Sequence, residues 1–459
     1  RPILTSQQVL KMYKTVAECY KGQSVFLTGG TGFLGKVILE KLLYSCPGLD
    51  KVYVMVRDKK NTVAQQRILK VLEQPIFSRL RNENPKALDK IVPIVGDISE
   101  SNLGLNAQDE ELLTSKVSIV FHVAATIKFN EPLEVAMNIN VAGTRRVLEL
   151  SHRMKNIKTF VYVSTAYSNS NRDVIDEVIY PAPASFNEIK KLLEIGITEK
   201  QVKHLLDNRP NTYTFTKAIA ENLIADNSNR VPSVIIRPSV VSSSKAEPLV
   251  GWVDNWYGAS ALLTTIFKGL NRVILSSPSN SLDLIPVDYV SNLIIVAAAK
   301  CEESSKEVKV YNCSSSAVNP ITMKRLSVLA IEDSCKNKCY DVPLPFLYFT
   351  QNKWVVFLLT LILQTIPAYI GDIILSITGK KTRFVKIQAK TSLVRSTLEY
   401  FTSNTWIIRA SKTRALAQSL SPADKKIFPC DPADILWDEY IPTYCAGIRK
   451  FLLQNQKLK

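Results

Sequence analysis

Short unbroken apolar runs alternate with stretches of helical spacing through the N-terminal part of the chain. Val25–Leu27, "KVYVMV" (51–56), "KIVPIV" (90–95), "VSIVFHV" (117–123), "TFVYV" (159–163) and "SVIIRP" (233–238) read as strands buried on both faces. Between them lie amphipathic helices. One carries Val37, Ile38, Leu42 and Leu43 on one side. Another, "NTYTFTKAIAENL" (211–223), turns Phe215, Ala218, Ile219 and Leu223 toward a core. Tyr213 and Lys217 sit one turn apart on a different face of that helix, where an exposed polar stripe is the plain alternative to a site. Strands alternating with helices predict an α/β fold, a Rossmann-type doubly wound parallel sheet, followed by a mainly helical C-terminal domain. The expected division is a helical lead-in over 1–20 and a nucleotide-binding domain with substrate-binding insertions over 21–330. A linker with an apolar segment (331–379) and a helical domain (380–459) would follow.

The ends of the strands carry the candidate chemistry. After the first strand, Gly29, Gly32 and Gly35 recur at three-residue spacing and a helix begins. Gly29 allows a tight turn, Gly32 lets backbone approach phosphate, and Gly35 lets helix and strand pack closely. The helix N-terminus attracts the anion. At the end of the second strand stands Arg57, then Asp58, Lys59 and Lys60. A cation there pairs with a 2′-phosphate, so NADPH is expected over NADH. Asp97 and Ile98 follow the third strand; this polar tip can meet the adenine edge, or Asp97 can simply cap the next turn. Ala124 and Ala125 after the fourth leave room for a cofactor. His122, inside an apolar strand, reads as a satisfied core histidine. Asn140, in "NINVAGT", reads as a support of the sheet. Ser164 and Thr165 end the fifth strand.

Hydride arriving at a carbonyl carbon leaves negative charge on oxygen, and a donor must meet it. Tyr213 can be that donor if its phenol is made more acidic than the ordinary value of about 10. Lys217 supplies a positive charge that would do so. Thr165 would donate to the same oxygen, with Ser164 as the fallback if the register is one residue off.

A glycine-rich first turn, a strand ending in Ser-Thr and a Tyr-x-x-x-Lys helix, in that order, resemble the extended short-chain dehydrogenase/reductase superfamily. The stretches "LTGGTGFLGKVILEKLL", "FHVAATIKF", "NVAGTRRVLEL", "VYVSTAYSN", "IIRPSVV", "GWVDNWYG", "DLIPVDYVSNLII" and "VYNCSSSAVNPIT" narrow the likeness. So do "TSLVRSTLEYFTSNTWIIRA" and "ILWDEYIPTYCAGIRKFLL" near the C-terminus. Together they resemble the alcohol-forming fatty acyl-CoA reductases over nearly the whole chain. The resemblance implies NADPH-dependent reduction of a long-chain acyl-CoA to a fatty alcohol through an aldehyde. It implies Thr165, Tyr213 and Lys217 as the catalytic set, the lysine also holding the nicotinamide ribose. The expected cofactor contacts are Gly29, Thr31, Gly32, Phe33, Leu34, Gly35, Arg57, Asp97, Ile98, Ala124, Tyr213, Lys217, Pro238, Ser239 and Val240. With one glycine-rich loop, both reductions are expected to share one site. Residues 173–206, between Thr165 and Tyr213, are expected to form a peripheral lid, and Trp252–Leu263 could line an acyl tunnel or simply pack. The chain departs from the family at Val250-Gly251, where Pro-Gly is usual, in "YGASALLTTIFKGLNR", and in "QTIPAYIGD", which lacks a histidine. Rival readings are a related reductase of a steroid or nucleotide sugar, and a non-enzymatic NADP-binding membrane scaffold.

Composition adds a partner. The 459 residues carry a formal charge of +17, which suits phosphate-bearing ligands or an anionic membrane. The cations are dispersed, with no zinc-finger spacing and no aromatic RNA-binding motif, so nucleic acid is not expected. Eight cysteines without a C-x-x-C, and three histidines, argue against a metal site and for free thiols in a reducing compartment. The first 23 residues are too polar for a signal peptide. The most apolar stretch is 354–379, "WVVFLLTLILQTIPAYIGDIILSITG", interrupted by Pro367 and Asp372 and followed by Lys380, Lys381, Arg383 and Lys386. Its uncharged part, Trp354–Ile366, rises only about 20 Å as a helix, against a hydrocarbon core about 30 Å thick. It could span with a kink, dip into one leaflet, or pair with another helix inside the protein. Membrane association is expected, with a cytosolic catalytic domain on endoplasmic reticulum or peroxisome membrane.

Overall fold

The computed structural model describes residues 14–58, 62–302 and 307–454. Strands β1 (Val25–Thr28), β2 (Val52–Val56), β3 (Ile91–Val95), β4 (Ile119–His122), β5 (Thr159–Val163), β6 (Ser233–Pro238) and β7 (Lys309–Cys313) form one sheet. Every pairing is parallel and the spatial order is β3-β2-β1-β4-β5-β6-β7. From β1 the chain builds outward through β2 and β3, then returns to build the other side from β4. The carboxyl ends of β1 and β4 therefore flank the crevice where such sheets bind ligands.

Both faces of the sheet are covered. Helices α1 (Phe33–Ser45), α2 (Gly143–His152), α3 (Thr212–Ala225) and α4 (Val287–Ala299) supply the cover. Phe26, Tyr53, Val120, Phe160 and Ile235 project from one face into a core shared with Val147 and Leu148 of α2 and with Ala220 and Ile224 of α3. α1 and α4 pack together on the other side. This double burial explains why the strands read as continuous apolar runs rather than alternating ones. The predicted doubly wound α/β fold is present.

The chain divides into two compact units that interleave in sequence. The first comprises the residues up to Pro238, Val287–Cys313 and Ala410–Asp431. The second comprises Ser239–Pro286, Ser314–Arg409 and the residues from Pro432 onward. One buried carboxylate helps to tie the late segment to the first unit. Glu177 accepts the N–H groups of Asn312 (3.1 Å), Lys412 and Thr413 (3.0 Å), and so caps the helix Ser411–Gln418.

The second unit is mainly helical, with short two-stranded ladders. Tyr440 donates to the Ser243 carbonyl at 2.7 Å, and Tyr444 and Ser260 share a hydrogen bond of 2.8 Å. Gly251 has φ +69° and Gly447 packs so tightly on it that a Cβ at 447 would meet the Gly251 oxygen at 1.8 Å. Val250 is exposed. The departure from the family therefore falls on the tolerant residue and leaves the required glycine. Trp252, Val253, Leu262 and Leu263 are buried, and Tyr257 is exposed. Residues 173–206 carry two short helices, Phe186–Ile195 and Glu199–Leu205, each opened by a capping box. Ile189 packs with Phe215 and Ile219 of α3.

A buried ion pair joins these parts of the first unit. Arg237 on β6 and Glu221 on α3 are 0% and 1% exposed. The guanidinium donates to Glu221 from Nε (2.9 Å) and Nη2 (2.7 Å), and to the carbonyls of Asp176 (3.0 Å) and Val178 (2.8 Å). Removing one partner leaves the other charged and dry. Arg237→Leu should cost about 3–5 kcal/mol, read as a large drop in the thermal unfolding midpoint. Adding Glu221→Leu should recover part of it; no recovery would show that the pair does not act as a unit.

Candidate active site

The turn after β1 is shaped by what its backbone approaches. Gly29 takes φ +75°, and a Cβ there would sit 2.8 Å from the Ala124 nitrogen. At Gly35 a Cβ would meet the Gly29 oxygen at 2.1 Å, so only glycine lets α1 pack against the strand end. The Gly32 N–H closes the turn on the Gly29 oxygen at 2.9 Å. Gly32 then caps α1, which starts at Phe33 and Leu34 without a side-chain cap. Thr31, Gly32, Phe33 and Leu34 thus ring a helix N-terminus at the switch crevice. A concave turn that a Cβ would fill, opening onto helix N–H groups, fits a dinucleotide pyrophosphate.

The polar ends of β2 and β3 meet beside it. Arg57 is exposed and its Nη1 lies 3.5 Å from Asp97 Oδ2. Asp97 also accepts the Ser99 N–H (2.9 Å) and hydroxyl (2.8 Å). Burial pushes its carboxyl up, but the Ser99 hydrogen bonds and Arg57 outweigh that and hold it below the usual range. Ile98 is buried, and its carbonyl accepts Arg146 Nη1 at 2.8 Å. A second cation, unseen in the sequence pattern, joins Arg57: Arg67 donates to the Arg57 carbonyl. Burial and the Arg57 charge both lower its pKa. Asp58, the nearest carboxylate in the turn, accepts the Ala64 N–H at 2.8 Å. Lys59 and Lys60 lie outside the described residues.

Thr165, Tyr213 and Lys217 come together at the end of β5. Ser164 and Thr165 engage two different positions on α3. Ser164 donates to Glu221, which also accepts from Ser168 (3.1 Å) and Arg237. Thr165 instead faces Tyr213, and its hydroxyl lies 3.5 Å from the Pro238 carbonyl. Lys217 is buried, donates to the Val163 carbonyl at 2.6 Å and lies 4.5 Å from the Tyr162 ring centroid. The exposed polar stripe is therefore excluded for Lys217. Tyr213 is half-buried and stacks on Phe129 at 6.1 Å.

The electrostatics differ from the expectation that Lys217 acidifies the phenol. Burial pushes Tyr213 up to about 12, with Thr165 working the other way. Burial pulls Lys217 down to about 7, opposed by Glu221. The ammonium is bound to Val163 and lies 6.0 Å from the Tyr213 ring centroid, so desolvation wins over attraction.

His122 and Asn140 prove to be supports. Burial, helped by the Lys217 charge, pulls His122 down to about 3. Thr144 spends its proton on the Asn140 carbonyl (2.7 Å) and so accepts from His122 Nε2 (2.9 Å). Nδ1 then accepts from Thr28 (2.8 Å), whose oxygen takes the N–H groups of Val123 and Ala124. Asn140 exchanges hydrogen bonds with the Thr126 backbone (2.9 and 3.1 Å) and donates to Thr216 on α3 (3.0 Å). It holds the loop after β4 against the Tyr213 helix rather than the sheet itself. Pro238 ends β6, whereas Ser239 and Val240 belong to the second unit, where Val240 pairs with Leu284. Ser239 is buried and its hydroxyl has no partner. Among the described residues no cluster of His, Cys, Asp and Glu could hold a metal.

Two family models, both described as male sterility protein, match the chain: an NAD-binding one over residues 27–294 and a C-terminal one over residues 363–455. Fatty acyl-CoA reductase 1 of Homo sapiens is 38% identical over 447 residues, which cover 96% of this chain and 87% of that protein. Fatty acyl-CoA reductase 2 of Mus musculus is 35% identical over 447 residues, covering 96% and 86%. The reductase domain of a nonribosomal peptide synthetase from Mycobacterium tuberculosis has the same fold, with TM-score 0.63, 20% identity and coverage of 93% and 91%. The terminal R domain of the myxalamid pathway gives TM-score 0.62 at 21% identity, covering 94% and 92%. On the strength of the match to the curated reductases over most of both sequences, the chain belongs to the fatty acyl-CoA reductase family.

Proposed function

We propose that this chain reduces a long-chain fatty acyl-CoA to the fatty alcohol through an aldehyde, using NADPH and releasing CoA. The observation that carries the reading is the convergence of Thr165, Tyr213 and Lys217 at the end of β5, two strands from the glycine turn, in a chain of this family. The cofactor supplies the hydride to the carbonyl carbon. Thr165 orients the carbonyl oxygen. Tyr213 keeps its proton across the physiological range and gives it to the developing oxyanion. Lys217 holds positive charge close by and contacts the ribose. Each of the two reductions would consume one NADPH, exchanged between them: the first yields a thiohemiacetal, which loses the CoA thiol to leave the aldehyde, and the second reduces that aldehyde at the same residues. Arg57 and Arg67 side by side, with Asp58 engaged by Ala64, favour NADPH over NADH. The exposed apolar helix over 353–377 favours membrane association, with the catalytic residues on the cytosolic side.

Three outcomes test this. Tyr213→Phe keeps the ring and removes the donor, so it should lose about 100- to 10,000-fold on both acyl-CoA and free aldehyde while still binding NADPH. Retained aldehyde reduction with lost acyl-CoA reduction would overturn the single site. Arg57→Ala should weaken NADPH far more than NADH in competing titrations; equal loss would defeat the assignment. The third concerns pH. Lys217 holds its proton below about 7 and loses it above, whereas Tyr213 titrates only near 12. The kcat/KM for NADPH, which reports the free enzyme, should fall as pH rises through about 7. A profile flat from weakly acidic to weakly basic pH would contradict the role of the charge.

A further inference from the structure

Helix α5 (Lys353–Ile377) is 25 residues long. At 1.5 Å per residue it reaches about 37 Å, enough for a hydrocarbon core of about 30 Å. Length therefore does not decide between crossing a membrane and lying on it. Its surface does. Trp354, Phe357, Ile362, Ile366, Ile370 and Ile377 recur at three- to seven-residue intervals along its broad exposed side, each 45% exposed or more. The opposite face buries Thr360 and Gln364.

That inner face is tied along its length to helix α6 (Phe384–Ser403), which runs antiparallel to it. Lys353 pairs with Glu399 at 3.4 Å at one end. Gln388 reaches Thr365 at 3.5 Å in the middle. At the other end Asp372 accepts the N–H groups of Arg383 (2.8 Å), Phe384 (2.8 Å) and Val385 (3.0 Å). Asp372 is therefore not a random break in an apolar run. It caps α6, which has no side-chain cap of its own. Gly371 belongs to the same contact: a Cβ there would meet the Phe384 ring at 2.7 Å.

A helix fixed in this way travels with its partner. If α5 crossed the bilayer, α6 would carry exposed Lys386 and Lys390 into hydrocarbon, together with Arg395 and Glu399. These are among the costliest residues to place there. Lying flat avoids the cost. The apolar face of α5 then enters the acyl boundary, while the cations of the connecting turn and of α6 stay at headgroup level. Exposed Lys380, Lys381 and Arg383 in that turn would meet anionic lipid.

We propose that the α5–α6 hairpin is a monotopic anchor that lies flat in one leaflet of an anionic membrane and does not cross it. The proposal rests on the membrane association stated above, and the test separates the two. An environment-sensitive fluorescent amino acid is placed by codon suppression at position 354, 362, 370 or 377 of the full chain. Quenching is then measured with lipids brominated at set depths, in vesicles of phosphatidylcholine with and without phosphatidylserine. All four positions should report one shallow depth, with tighter binding when phosphatidylserine is present. Lys380→Ala with Lys381→Ala should weaken that binding roughly thirty-fold, about fivefold for each charge, with NADPH binding kept as proof of folding. Depths that pass from one surface through the bilayer centre to the other would overturn the flat anchor while leaving membrane association intact. No quenching in either vesicle would remove both. Probes shielded from water without lipid, in a chain that sediments as a dimer, would assign the face to a second copy and overturn the anchor.

Discussion

Glu221 and Arg237 form an ion pair removed from water, and the side chains around the end of β5 are arranged about it. Glu221 stands one turn beyond Lys217 on α3 and gathers Ser164, Ser168 and Arg237 around one carboxylate. Arg237 answers with the backbone of Asp176 and Val178. The pair therefore ties the end of β5, the middle of α3, β6 and the start of the 173–206 insertion at a single point. A buried ion pair gains little net stability over an apolar replacement. What it supplies here is direction. Ser164 is held to Glu221, and Thr165 faces Tyr213 two turns earlier on the same helix. The same carboxylate opposes the loss of charge on Lys217.

The sheet and the glycine turn could be read from the sequence because both are local. A strand buried on both faces must be apolar throughout, and a turn that approaches another backbone to within contact distance must be glycine. The core reading of His122 was also local, since an imidazole inside an apolar strand needs only hydroxyl partners. What escaped was decided across the chain. Whether Ser164 or Thr165 faces Tyr213 depends on Glu221, 57 residues away. Glu221 itself was in view one turn after Lys217, but helical spacing alone does not reveal a buried carboxylate. Arg67 joins Arg57 only because the helix after β2 folds back over the strand end. The return of residues 410–431 to the first unit rests on contacts from far along the chain, Glu177 to Thr413, Lys41 to Ile427 and Val16 to Asp424 among them.

The expected acidification of the phenol failed for a related reason. One low-dielectric environment acts on Tyr213 and Lys217 in opposite directions, raising the phenol and lowering the ammonium, because each resists the charged form. Tyr213 therefore keeps its proton firmly and Lys217 keeps its own loosely. That is a suitable resting state for reduction, which consumes a proton at oxygen. Negative charge brought near Lys217 would favour its ammonium, as Glu221 already does.

The same contrast between local and distant information governs the apolar helix. Read alone, residues 354–379 combine a long hydrophobic run, a proline, an aspartate and a basic flank, which suits a kinked span as well as a surface anchor. The aspartate becomes informative only when its partners are known. Asp372 accepts three backbone N–H groups of the next helix, and those groups have no other side-chain cap. Moving α5 into hydrocarbon without α6 would strand that carboxylate and uncap the second helix. Moving both would bury lysines. The hairpin can satisfy its polar groups and still offer its apolar face to lipid only by keeping α6 in the interface, so the cap on α6 limits how deep α5 can go.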